Sequence, residues 1–183
     1  MDLSRTALVV VDVQRAFDEH AHWSPTGHRD NPDCERNVAA LLQGWPGPVV
    51  LVRHDSTEPG SPLAPGRPGN AFKDVVDRDG DLLVTKETNS SFYGTPDLHA
   101  WLQAHGIGSF AVCGIQTNHC VETTARMGGN LGYDVLFVLD ACHTFDRRGP
   151  DGEVVTAEEL TRATAASLHG EFATVVRTAD LIG

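Results

Sequence analysis

The chain is short of positive charge. Its 183 residues carry 14 lysines and arginines against 25 aspartates and glutamates, so its formal net charge is −11 at pH 7 with neutral histidines. Nucleic acids and anionic membrane surfaces bind proteins through clusters of lysine and arginine. We therefore expect neither as a partner, whereas a small-molecule substrate is compatible with this charge.

Long apolar runs and closely spaced cysteines are also missing. No apolar stretch approaches the roughly 20 residues of a membrane-spanning helix, and the run at residues 6–13 is expected to be a strand rather than part of a signal peptide. The four cysteines form no CxxC pair, which favours free thiols in a reducing cytoplasm over a disulfide framework. They are Cys34, Cys113, Cys120 and Cys142.

The apolar residues that are present recur in an alternating order. Continuous apolar runs predict buried strands, and segments with capping residues and terminal glycines predict helices between them. The predicted strands are 6–13, 48–54, 81–87, 109–115, 133–141 and 172–178, and the predicted helices are 31–45, 95–106, 118–130 and 156–170. This alternation is typical of one α/β domain, residues 1–183, with a parallel sheet built from right-handed βαβ units.

Local signals refine the helix starts and one loop. Asn31 and Thr95 each precede a proline and are expected to cap helices, and Thr156 with Glu159 matches a capping box. Residues 55–70 are dense in proline and glycine and are predicted to be irregular. Long loops of this kind commonly shape a site or a subunit contact.

Three polar residues stand at or just after the ends of predicted strands. Ligands of parallel α/β sheets bind beyond the carboxyl ends of the strands, so Asp12, Lys86 and Cys120 are expected at one edge of the sheet. Each has an ordinary structural interpretation as well. A strand-end aspartate often caps a loop, a lysine is usually solvated, and a lone cysteine is commonly a small buried hydrophobic residue.

Cys120 lies in the first turn of the predicted helix 118–130. Unpaired N–H groups and the positive dipole end favour a thiolate there and can hold an oxyanion. A neighbouring Lys86 is expected to lower the thiol pKa further, and Asp12 is suited to accept and return a proton. The pattern therefore favours nucleophilic hydrolysis. The other cysteines are interpreted as structural, with Cys142 placed just after a strand end: Cys34, Cys113 and Cys142.

Three segments together resemble the isochorismatase-like cysteine hydrolases, which include nicotinamidases and N-carbamoylsarcosine amidases. They are ALVVVDVQRAF (7–17), VTKETNSSFYGT (84–95) and CGIQTNHCVETTAR (113–126), and the resemblance covers nearly the whole chain in the right order. It implies a doubly wound three-layer fold with a six-stranded parallel sheet, an Asp–Lys–Cys triad, and a homo-oligomer, either a dimer or a tetramer.

The resemblance also implies the details of the catalytic turn. A cis peptide bond is expected between Ile115 and Gln116, with the N–H groups of Gln116 and Cys120 forming an oxyanion hole. Asn118 stands where many amidases of the family have aspartate, and it is still expected to cap the following helix.

Pocket walls are expected in the segment after Asp12 and in the NSSFYGT motif. In relatives the first of these segments walls the pocket, which makes Gln14, Phe17 and Trp23 candidates, and Phe92 is a candidate from the second motif. The alternative is that these side chains only cover the core.

The sequence departs from nicotinamidases at their metal site. Those enzymes carry an Asp-x-His pair after the second strand, whereas this chain has Arg53 and His54 there. We therefore expect no metal, no cofactor and no nicotinamide substrate. The loop histidines lack a supporting carboxylate or helical i, i+4 spacing and are interpreted as surface residues. They are His20, His22 and His28.

The leading hypothesis is a cysteine hydrolase that cleaves a C–N bond of a small amide or ureido compound through a thioester. One alternative is vinyl-ether hydrolysis of an isochorismate-like acid, with Asp12 as the acid and no need for the thiol. That chemistry calls for cationic lining beyond Lys86, for which Arg53 is the nearby candidate. Another alternative is a non-catalytic protein in which Cys120 is a redox-reactive thiol.

Overall fold

A computed structural model describes residues 2–182. Its central feature is a six-stranded, all-parallel sheet in the order β3-β2-β1-β4-β5-β8. The sheet strands are β1 (Thr6–Val11), β2 (Val49–His54), β3 (Leu82–Lys86), β4 (Ser109–Ile115), β5 (Asp134–His143) and β8 (Thr174–Val176). A small antiparallel ribbon pairs β6 (Arg147–Arg148) with β7 (Val154–Val155). The predicted α/β fold is confirmed.

Helices flank this sheet. They are α1 (His20–Trp23), α2 (Cys34–Gly44), α3 (Leu98–Ala104), α4 (Glu122–Asn130) and α5 (Ala157–Leu168). Within residues 2–182, none of the helices is both long enough and apolar enough to cross a bilayer.

The central strands carry the core. All six residues of β1 are buried, as are six of the seven residues of β4. A strand covered on both faces has no solvent side on which to place polar residues, which explains the continuous apolar runs in the sequence. Each buried valine or leucine side chain stabilises the fold by roughly 1.5–3 kcal/mol. Cys142 also lies inside β5 rather than beyond its end, and its thiol is fully enclosed.

Two predicted helix caps are wrong. Asn31 adopts a positive φ of 42°, and its side-chain amide donates to the carbonyl oxygens of Asp140 and Cys142, so α2 begins only at Cys34. Thr95 precedes a cis proline, and α3 begins at Leu98 after Asp97, whose carboxylate accepts from the N–H of Ala100. In both cases a tertiary contact or a turn replaces the local cap.

The third predicted cap is confirmed. Thr156 and Glu159 form a reciprocal capping box at the start of α5. Both hydrogen bonds of this motif join residues three positions apart, so the short-range pattern is enough to specify it.

Gly114 lets β4 approach β1 closely next to the site. Its φ is 126°, and a Cβ placed on it would lie 2.0 Å from the carbonyl oxygen of Val11. Only glycine tolerates both the conformation and the distance. The close approach fixes the end of β4 beside the end of β1, from which Asp12 projects.

Candidate active site

An ion pair forms the floor of the site. Asp12 follows β1 with a φ of 53°, and Lys86 is the last residue of β3, so β2 separates their strands. The Lys86 ammonium donates to Asp12 Oδ2 at 2.7 Å, and neither side chain has any solvent exposure. The other Asp12 oxygen, Oδ1, is buried without a hydrogen-bond partner among residues 2–182. It is therefore free to accept a proton from a neighbouring donor.

Cys120 approaches this pair from the end of β4, which is the neighbour of β1 on the side away from β2. It lies in a single π-helical turn, Thr117–Val121, between β4 and α4. Its sulfur, a carboxylate oxygen of Asp12 and a ring nitrogen of His54 all lie within 4.8 Å of one another. The structure thus brings together Asp12, Lys86 and Cys120, which are far apart in the sequence.

The turn around Cys120 differs in detail from the sequence prediction. Cys120 precedes α4 rather than lying in its first turn, and Asn118 caps no helix. Instead, Asn118 Oδ1 accepts a hydrogen bond from Thr144 Oγ1 at 2.5 Å, because the end of β5 passes beside the turn. The peptide bond between Ile115 and Gln116 is cis. The backbone N–H of Gln116 donates no hydrogen bond within the described part of the chain.

The environment of Cys120 stabilises its neutral thiol. Burial and the nearby Asp12 carboxylate raise its pKa well above the ordinary value, and the opposing effect of Lys86 does not compensate. The expectation of a lowered thiol pKa is therefore wrong, because it neglected the cost of burying a thiolate. The resting site holds a thiol beside a carboxylate. Burial lowers the Lys86 pKa, but the charge and hydrogen bond of Asp12 and the neighbouring Cys120 sulfur together outweigh it, so the Lys86 pKa is raised.

A cavity of about 460 Å³ opens above these residues. Phe17 and Trp23 line it, as the sequence predicts, and their ring centroids are 4.7 Å apart. The Trp23 indole is fixed by a 2.8 Å hydrogen bond to the carbonyl of Ala16. Several residues between positions 56 and 63 form a further wall, so part of the predicted irregular loop shapes this cavity.

Two other predicted pocket residues do not line the cavity. Gln14 is buried, and its side chain hydrogen-bonds to the backbone of His54 and to the carbonyl of Asn70. It therefore connects the end of β2 with the loop at residues 55–70. Phe92 packs against Phe110 and Tyr133 in the core. Both predictions are wrong because a residue's place in a motif that walls the pocket in relatives does not define the direction of its side chain.

The cavity residues that were not predicted as site residues include His54, Asn89, His119 and Arg147. His54 Nδ1 lies 3.1 Å from Lys86 Nζ, and burial together with the lysine charge lowers its pKa, so the ring is neutral and accepts from the ammonium. Its position at the end of β2 satisfies the same strand-end rule that selected Lys86. His119 is also neutral, since burial and the Arg147 charge lower its pKa to about 4.

Arg53 does not supply the cationic lining that the vinyl-ether alternative requires. It lies outside the cavity and pairs with Asp55, with 2.9 Å between Arg53 Nε and Asp55 Oδ1. The cationic side chain in the cavity wall is Arg147, which donates to Gln116 Oε1 at 2.9 Å.

Two groups of side chains have spacings compatible with a metal ion. Asp12, His54 and Cys120 form one, in which the Lys86 ammonium contacts Asp12 Oδ2 and His54 Nδ1. The other comprises the buried Asp146 and the exposed His28 and Glu158. There both Asp146 oxygens accept hydrogen bonds, from Thr26 Oγ1 and from the N–H of Ala157 at the start of α5.

The fold and the buried carboxylate–ammonium–thiol cluster define a class of hydrolase. The chain belongs to the isochorismatase family, whose domain model matches residues 6–180. This confirms the resemblance carried by the three sequence segments.

Similar proteins cover nearly the full chain. A crystal structure from Chromobacterium violaceum ATCC 12472, described as a hydrolase of this family, shares 39% identity and a TM-score of 0.90, covering 98% of this chain and 93% of that one. YrdC of Bacillus subtilis, an uncharacterized isochorismatase family protein, is 38% identical over 97% of this chain and 95% of its own length. The ureidoacrylate amidohydrolase RutB of Methylobacterium radiotolerans is 29% identical over 94% of this chain and 76% of its own length.

Proposed function

We propose that this protein is a cysteine hydrolase that cleaves the C–N bond of a small amide or ureido compound through a thioester. The observation that carries the proposal is the meeting of Asp12, Lys86 and Cys120 beneath one cavity, which Asp12 and Cys120 line. A thiol beside a buried carboxylate is the arrangement that activates a sulfur nucleophile through a general base.

The proposed reaction begins when Asp12 takes the proton of Cys120 and the sulfur attacks the carbonyl carbon. The backbone N–H groups of Gln116 and Cys120 hold the oxyanion. Asp12 then gives the proton to the departing nitrogen, which leaves as an amine and yields a thioester. Water, deprotonated by Asp12, attacks the thioester, and the thiol is regenerated with release of the acid.

The electrostatics of the site support a proton transfer coupled to attack. Because the Cys120 pKa is raised, the thiol keeps its proton until a substrate carbonyl is in place. Lys86 remains charged and holds Asp12 Oδ2, which leaves Oδ1 to exchange protons with the thiol and the leaving group. Neutral His54 accepts from the same ammonium and thereby helps to fix its position.

The nature of the scissile bond is supported by a relative. RutB is named as an amidohydrolase of ureidoacrylate, and its likeness extends over 94% of this chain. The cavity of about 460 Å³ suits a small-molecule substrate. We also propose a cytoplasmic location, since all four cysteines are free and buried.

The subunit arrangement is a proposal that follows from the family resemblance. We expect a homo-oligomer, either a dimer or a tetramer. Exposed large hydrophobic side chains such as Leu83 and Tyr93 are compatible with a subunit contact. Light scattering coupled to size exclusion measures the mass directly, and a monomeric mass would contradict this expectation.

A second candidate function is vinyl-ether hydrolysis of an isochorismate-like acid. The Arg147 guanidinium in the cavity wall favours it, since such substrates are anionic. In that reaction Asp12 protonates the substrate and Cys120 is dispensable. The redox-thiol alternative has less support, because a thiol with a raised pKa reacts slowly with oxidants.

The deciding experiment compares wild type with Cys120→Ala and Cys120→Ser on small amides, ureas and isochorismate. We expect wild type alone to release amine from an amide or urea. The matched control is Cys34→Ala, a buried cysteine in α2 that does not line the cavity. Amide turnover retained by Cys120→Ala would refute the covalent route. Isochorismate turnover by both wild type and Cys120→Ala would select vinyl-ether hydrolysis.

A further inference from the structure

Arg147 lies in the wall of the active-site cavity and forms no salt bridge with any of residues 2–182. It begins the β6–β7 ribbon, just after the end of β5. Its Nη2 donates to the neutral Gln116 Oε1 at 2.9 Å, whereas its Nε is shielded from solvent and has no hydrogen-bond partner among residues 2–182. Burial lowers the guanidinium pKa.

The other partly buried arginines of the chain are neutralised. Arg29 pairs with Glu35 at 2.7 Å, Arg53 pairs with Asp55 at 2.9 Å, and Arg126 pairs with Glu122 at 2.7 Å. Arg147 forms no such salt bridge within the described chain. Because an unpaired cation removed from water is unfavourable, its placement calls for an anionic partner supplied from outside the protein.

The surroundings of Arg147 are suited to receive an anion. His119, another cavity residue, is neutral and therefore adds no competing charge, and its buried Nδ1 also has no partner within residues 2–182. The cavity has two acidic residues. Asp12 is paired with Lys86, and Glu58 is exposed in the loop that forms one wall. Neither forms a salt bridge with Arg147.

Gln116 connects this cation to the reacting centre. Its side-chain oxygen accepts from Arg147, while its backbone N–H belongs to the proposed oxyanion hole. An acid group bound by Arg147 is therefore held a short distance from a carbonyl placed over Cys120. The aromatic walls of Phe17 and Trp23 accommodate an apolar part of the same molecule.

We propose that Arg147 binds a carboxylate of the substrate, so that the substrate class is small amides or ureides carrying a free acid group. A planar guanidinium with an unused Nε–H matches the two oxygens of a carboxylate. This inference deepens the proposed function and rests on it for the identity of the scissile bond. Arg147 is thus a specificity-determining residue.

The test measures binding of two probes of the same shape that differ in charge, benzoate and benzamide. Isothermal titration in the Cys120→Ala background removes turnover from the measurement. We expect a Kd for benzoate about 10-fold or more below that for benzamide, since hydrogen bonds to charged groups are the stronger ones. Arg147→Gln should abolish this preference and leave benzamide binding unchanged.

Arg148→Gln is the matched control, because Arg148 is the exposed neighbour in the same strand and does not line the cavity. It should keep the benzoate preference, and circular dichroism and the melting temperature establish that each variant is folded. Equal Kd values for the two probes, no detectable binding of either, or a preference that survives Arg147→Gln would overturn the proposal.

The same variants separate this inference from the proposed function. In wild type, an ω-carboxyalkyl urea should be hydrolysed with a KM about 10-fold or more below that of its alkyl isostere, and Arg147→Gln should remove that difference. Cys120-dependent turnover without an acid preference would overturn the anion site alone. A benzoate preference in a protein that never hydrolyses amides would leave the anion site intact and refute the proposed reaction.

Discussion

The buried ion pair between Asp12 and Lys86 makes a strong prediction about stability. Lys86→Met keeps much of the side-chain volume but leaves the Asp12 carboxylate, which is fully enclosed, without its 2.7 Å partner. At an effective dielectric constant of about 20, the lost attraction is roughly 6 kcal/mol. Part of this is offset because the ammonium no longer has to be buried, and removal of one partner from a buried pair costs about 3–5 kcal/mol.

The expected change is a melting temperature about 6–20 °C lower, because 1 kcal/mol corresponds to about 2–4 °C in a domain of this size. Urea unfolding followed by circular dichroism gives the free energy directly. Asp12→Leu combined with Lys86→Met should recover most of the loss, since no unpaired charge remains. Arg15→Met is the control: Arg15 also lies 2.7 Å from its partner Asp74, but both are exposed, so we expect a loss below about 1 kcal/mol. A loss below about 1 kcal/mol for Lys86→Met would show that Asp12 does not depend on Lys86 as a buried charge partner.

Three further outcomes follow from the structure. Asp12→Asn should abolish turnover yet speed the alkylation of Cys120 by iodoacetamide at pH 7.5, because the negative charge that disfavours the thiolate is gone. Slower or equal labelling would contradict the contact between Asp12 and Cys120. The Glu35 pKa is lowered, because Arg29 and Lys73, each 2.7 Å away, together outweigh the effect of burial. The stabilisation of the fold by this carboxylate is therefore present above pH 4.5 and is lost as the pH falls below that value. Between about pH 5 and pH 3, the free energy of unfolding should fall more for wild type than for Glu35→Gln. Gly114→Ala should cost on the order of 3 kcal/mol in urea unfolding, whereas Gly108→Ala, with open space around it, should change stability little.

Much of the fold is local enough to be predicted from the sequence. The buried run of β1 and the capping box of Thr156 and Glu159 each follow from neighbouring residues. The strand-end rule also selects Asp12 and Lys86, because parallel strands bring their carboxyl ends to one edge. His54, the last residue of β2, satisfies that rule as well.

The remaining features depend on tertiary packing. Asn31 does not cap a helix, because its side chain donates to carbonyls near the end of β5, more than a hundred residues away in the sequence. Arg147 reaches the cavity because the chain turns into a short ribbon after β5, and no periodicity marks that turn. The Cys120 pKa depends on depth of burial, which a position at a helix start does not reveal.

The proposed covalent route requires that Cys120 attack a carbonyl and carry the acyl group. Acid quenching during turnover of a small amide, followed by mass spectrometry of the intact protein and its peptides, measures this directly. We expect an added mass equal to the acyl group on the peptide that contains Cys120, absent from Cys120→Ala and lost when turnover ends. Steady turnover with the Cys120 peptide unmodified at every quench time, and undiminished in Cys120→Ala, would contradict it.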